Sequence, residues 1–199
     1  MAAVKLTKNE LKKQKDALKR FQRYLPTLQL KKQQLQMIIR QVEQEHDALA
    51  REKDARRHQL ESWIGLFQDE VQPQDYVRPE KVQTSVGNIA GVDIPVFEEL
   101  AFADVRWNLL DTPLWIDAGV EALKTLVEYD ARLRVLDEQL RRLGDELRTT
   151  TQRVNLFEKV KIPETKENIR RIRIYLGDQQ TAAVVRGKIA KQNLVRAEA

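Results

Sequence analysis

The stretch 126-LVEYDARLRVLDEQLRRLGDEL-147 decides the fold. Leu126, Leu133, Leu140 and Leu147 recur every seven residues, and Tyr129, Leu136 and Leu143 fall between them at spacings of three and four. Such spacing lays one apolar stripe down one side of a helix. The stripe continues through Thr150, Val154 and Phe157, and beyond Ile162-Pro163 through Ile169, Ile172, Leu176 and Ala183. Thr112 is placed to cap this helix. Pro113 suits its first turn, where the missing N–H would have no partner anyway. The spacing predicts a helix over 112–195, about 120 Å long if unbroken, with a bend at Pro163.

A second stripe precedes it. One line is Leu11, Leu18, Leu25, Ile39, Leu60 and Phe67; the other is Phe21, Leu28, Leu35, Val42, Leu49 and Trp63. Thr7-Lys8-Asn9-Glu10 has the capping-box form. A helix over 7–67, roughly 90 Å long, is expected. Pro26 removes one ladder hydrogen bond and should kink it. Polar residues at Lys32, His46, Lys53 and Arg56 interrupt the stripe and predict a wet, weakened seam.

Residues 68–111 change character, with Pro73, Pro79, Gly87, Gly91 and Pro95 among them. Val82, Thr84 and Val86, then Val92, Ile94 and Val96, alternate at period two. A short hairpin connected by Gly87–Gly91, accompanied by a short helix, fits this pattern. An irregular loop packed by Phe97, Phe102 and Trp107 is the alternative. Neither stripe can stay in water. The expected class is mainly α: a long antiparallel two-helix coiled coil with a small hairpin-bearing segment at its middle. The termini then meet at one tip. A parallel homodimer is the competing arrangement.

Charge is placed unevenly. The chain carries +5 overall, with +8 over residues 1–35, +6 over 153–199 and −9 between. A basic tip suits an acidic protein partner or, less specifically, nucleic acid. Chemistry is scarce. There is no cysteine. His46 and His58 lack a third ligand, Ser62 and Ser85 lack a nucleophile's context, and no phosphate-binding glycine loop occurs. No catalytic residue, metal or cofactor is expected. No run of about 18 apolar residues exists to cross a membrane. Met1–Leu6 has no apolar signal core, so a cytoplasmic protein is expected.

Three segments carry a family likeness. Arg153-Val154-Asn155-Leu156-Phe157-Glu158, with Val160 and Ile162-Pro163, resembles the arginine-valine-asparagine motif of the D subunits of V/A-type rotary ATPases. Asn88–Pro95 is similar to that family's central segment, and Leu6-Thr7-Lys8 through Leu28–Lys32 to its basic first helix. The resemblance implies a non-catalytic rotor axle of the central stalk. It couples ATP hydrolysis or synthesis in a hexamer of alternating A and B subunits to rotation of a membrane ring. It implies three contacts: the hexamer around the coiled-coil end, the stalk's F subunit on the side, and a further component that seats the other end on the ring. It implies no insertion into the membrane and no nucleic acid. Arg153, Asn155, Glu158, Arg170, Arg171, Arg173, Lys12, Lys13 and Lys19 are the expected partner contacts. A nucleic-acid-binding or scaffolding coiled coil is the alternative that the basic ends leave open.

Overall fold

The computed structural model describes residues 4–61, 76–105 and 115–198. Helix α1 covers Lys8–Glu61, strands β1 and β2 cover Pro79–Ile89 and Val92–Phe102, and helix α2 covers Ile116–Asn155. A π-helical turn, Leu156–Lys161, leads into α3, Ile162–Glu198. The expected stripe residues Trp63 and Phe67, Trp107, the cap at Thr112-Pro113, and the short helix of the central segment lie outside the described residues. The chain falls into two compact units, Lys32–Thr149 and the pairing of Met1–Lys31 with Thr150–Ala199.

In the unit Lys32–Thr149 the two stripes meet as predicted. Leu35, Val42, Leu136 and Leu143 form a buried cluster with Ile94 of β2. Each such side chain contributes about 1.5–3 kcal/mol by leaving water. The helices are antiparallel. His46 Nε2 lies 3.3 Å from Asp137 Oδ1, and Lys53 Nζ lies 2.6 Å from Asp130 Oδ1. Seven residues forward on α1 match seven back on α2. At two of the four polar gaps, His46 and Lys53, cross-helix partners bridge the seam, whereas Arg56 bonds Gln59 on its own helix. The fold-back also replaces the parallel homodimer as the way the stripes are covered.

The hairpin packs onto this helix pair. Its strands are longer than expected, and only Ala90-Gly91 connects them, with φ of 51° and 77°. A two-residue turn with both φ positive matches the twist of the strands. Asn88 steadies it: its Oδ1 accepts from the Gly91 N–H at 3.2 Å, and its Nδ2 donates to Asp93 Oδ1 at 2.6 Å. Gly87, Asn88 and Ile89 therefore belong to β1 and not to the loop.

Three side chains of α2 hold β2. Gln139 Nε2 donates to the Pro95 carbonyl at 2.6 Å, and Arg142 Nη1 to the Asp93 carbonyl at 3.1 Å. The Arg132 guanidinium stacks 5.2 Å from the Phe97 ring centre.

Glu138 braces this anchor. Hydrogen bonds from Arg141, then from Arg142, hold its carboxyl down at about 2. A depressed carboxylate contributes its stabilisation above the ordinary carboxylate range and loses it as pH falls through the folded value. Glu138 is partly exposed, so the effect is screened. Amide exchange, corrected for intrinsic rates, should show β2 losing protection earlier than α2 as pH falls from the ordinary carboxylate range towards about 2. Glu138→Gln should abolish that difference; parallel loss in wild type and variant would contradict it.

Candidate functional site

The second unit carries the residues singled out by the sequence. Its first helical stretch starts at Thr7, whose Oγ1 accepts from the Glu10 N–H at 3.2 Å. Only this half of the capping box forms. The Glu10 carboxylate instead accepts from Gln14 Nε2 at 2.9 Å. The helix then runs on through Pro26, which lies on an exposed face. There water can take the carbonyl that proline leaves without a donor.

The arginine-valine-asparagine motif sits at the end of α2 and in the π turn. Val154 is buried, and Phe157 packs on Phe21 with ring centres 5.2 Å apart. Arg153, Asn155 and Glu158 all face solvent. The wide turn explains how Pro163 is accommodated. The Ile162 N–H bonds to the Phe157 carbonyl, five residues back. The helix thus changes hydrogen-bond register next to the residue that has no N–H to give. Thr165, Ile169 and Ile172 return the stripe to the interior.

The arginine cluster divides. Arg170 Nε and Arg171 Nε both reach Glu167, at 3.6 and 3.2 Å. Arg173 points elsewhere, into a groove between the helices that is lined by Lys15, Leu18, Lys19, Gln22, Lys166 and Ile169. No acid lines it. Among the described residues Lys15, Lys19, Lys166 and Arg173 have no ion pair. Four uncompensated cations from two helices therefore share one groove. Lys12 and Lys13 are exposed on α1 and are not among its lining residues. Sequence reasoning passed over Lys15 and Lys166 as site residues. Their spacings, four to Lys19 and seven to Arg173, were the available signal, since each pair shares a helix face.

Going from Phe21 back to Lys15 corresponds to going from Phe157 forward to Arg173, so this unit too is antiparallel. Stepped residue for residue from the Phe21–Phe157 contact or from the groove, α1, which starts at Lys8, reaches only to about residues 170–180 of α3. The termini are therefore not level, as had been expected. No residue from Gly177 to Leu194 is buried, and Ala182 alone is half-buried. Val184, Val185, Ile189 and Leu194 are 49–65% exposed on this stretch, among Arg186, Lys188 and Lys191. An isolated helix of this length is marginal in water.

Among the described residues no group of three or more His, Cys, Asp or Glu could hold a metal. No described helix is long and apolar enough to cross a membrane. The family model for the D subunit of ATP synthase matches residues 10–192. The V-type ATP synthase D subunit of Borreliella burgdorferi is 50% identical over 196 residues, covering 98% of this chain and 97% of that protein. Proteins of the same description from Chlamydia caviae and Chlamydia abortus are 35% and 34% identical, each over 96% of this chain and 93% of their own.

Proposed function

Because this chain belongs to the D-subunit family of ATP synthases, it is a central-stalk component of a V/A-type ATPase, and we propose how its parts serve that role. The unit built from the two chain ends stands inside the hexamer of catalytic A and B subunits. The bare end of α3 is held there by the surrounding chains, and the cationic groove meets their acidic or carbonyl-rich surfaces. The F subunit binds the side of the stalk. A further component seats the hairpin-bearing end on the membrane ring. The chain itself is non-catalytic and stays on the cytoplasmic face.

The observation that carries this reading is the stretch of α3 beyond Gly177, which exposes four aliphatic side chains and has no partner among the described residues of its own chain. A surrounding protein sleeve would cover them. Nucleic acid is a poorer fit, because no aromatic side chain lines the cationic groove on which a base could stack.

Mechanism follows from linkage. A single asymmetric chain cannot touch several equivalent catalytic sites alike, so each site experiences a different contact. The chain biases a site only by its differential interaction with the open and closed states. Reciprocally, nucleotide binding that changes those states pushes on the chain. Co-expression of the tagged chain with the A, B and F subunits of its source tests the assembly. Recovery of all three at one tagged chain per hexamer is expected. Recovery of the chain alone, or with nucleic acid, would overturn the reading.

A further inference from the structure

The two edges of the hairpin are treated differently. The outward carbonyls of β2 at Asp93 and Pro95 are taken by Arg142 and Gln139, and Pro95 offers no N–H there. Among the described residues the free edge of β1 has no such cover. Because Ile89 pairs with Val92 across a two-residue turn, Ile89, Gly87 and Ser85 direct their backbone groups at β2. Val82, Thr84, Val86 and Asn88 then direct theirs outward. Their side chains share one face, and all four are exposed, Val86 to 78% and Val82 to 40%. The opposite face is filled: a methyl group added at Gly87 would come within 2.9 Å of Val96 Cγ2. Open edges of this kind are usually blunted by charge, proline or a bulge. Here charge is confined to Glu80 and Lys81, the proline to Pro79, and the bulge on β1 to Glu80; a second register break leaves its extra residue, Glu98, on β2, so that β1 is continuous from Lys81 to Ile89.

The edge is also self-complementary. If two β1 strands pair antiparallel about Thr84, each Val82 faces Val86 of the second copy, and Thr84 faces its own copy. Lys81 then faces Gly87, and no like charges are opposed. Sliding the dyad to Val86 would set Val82 against the turn, and sliding it to Val82 would set Val86 beyond the strand. β-branched cross-strand pairs of this type are favourable. We infer that the free chain associates with a second copy through the outer edge of β1, antiparallel about Thr84, giving a four-stranded sheet. The pairing belongs to the unassembled chain and is independent of the axle reading. The contact is small, so the dimer is a weak one.

Light scattering on the full chain across the micromolar range should show a monomer–dimer equilibrium. Val86→Lys, at a position too exposed to disturb the fold, should weaken it by at least about tenfold by setting a charge in the edge. The chain has no native cysteine, so Thr84→Cys gives a single thiol on the dyad. Its Cα–Cα distance of about 5.5 Å allows a disulfide. Oxidised Thr84→Cys should be captured as a dimer, whereas Asp178→Cys on exposed α3 should not. A chain monomeric at millimolar concentration, a dimer that survives Val86→Lys, or equal capture of the two cysteine variants would each overturn the inference. Capture of a different ATPase component at Thr84→Cys by a still monomeric chain would replace the second copy with that component's strand.

Discussion

A chain truncated after Gly177 is expected to fold as the full chain does and yet to lose ATP-driven ion transport by at least about tenfold in the reconstituted complex. Among the described residues the removed segment half-buries only Ala182, so thermal stability should change by no more than about 0.5 kcal/mol. What they present is apolar surface at Val184, Val185, Ile189 and Leu194. If a sleeve of catalytic subunits covers that surface, each side chain lost removes about 1 kcal/mol or more of contact. The truncated chain would then bear on the hexamer only through the paired portion of this unit. Uncoupled ATPase activity without ion transport is the expected signature. Full transport by the truncated chain would show that the bare helix bears no load.

Reversing charge in the groove should act on assembly itself. Lys19→Glu with Arg173→Glu is expected to weaken binding of the chain to the hexamer on the order of ten- to a hundredfold, because two cations facing an acidic partner become two like charges. Arg170→Glu with Arg171→Glu is the internal comparison. Those arginines are already shared with Glu167 and lie on an exposed face. Their reversal should cost less than about threefold. Titration of hexamer with labelled chain separates the two. Equal effects would mean that net charge, and not the groove, is what the partner reads. The salt dependence gives a second readout, since the wild-type affinity should fall with ionic strength and the groove variant's should not.

Much of this architecture was legible in the sequence, and the reasons differ by element. Leu35, Val42, Leu136 and Leu143 were placed on stripes by their heptad spacing, and they form the core. Apolar burial is non-directional, so the stripes did not specify which heptads meet. The matching of His46 with Asp137 and Lys53 with Asp130 does, and polar residues in a stripe had suggested weakness instead. The hairpin was visible as alternation, but its turn was placed too broadly. Ala90 at positive φ carries no sequence mark beyond the glycine after it. The π turn is a change of hydrogen-bond register that side chains barely encode; Pro163 was its one trace. The groove joins Lys15 and Lys166, residues far apart in sequence whose meeting depends on the fold-back. Finally, Ala183 continues the stripe on paper past the point where α1 can follow. That overshoot is what leaves the end of α3 bare, and it is the feature on which the axle reading rests.

Rotation of the chain inside the hexamer is the most direct test. Val86→Cys gives a single exposed thiol on the hairpin, far along the sequence from both chain ends, to which a visible probe can be attached. With the hexamer fixed to a surface and ATP supplied, the probe should turn steadily in one direction and stop when ATP is removed. A probe that stays still, or only fluctuates, while the hexamer hydrolyses ATP at its full rate would contradict the account.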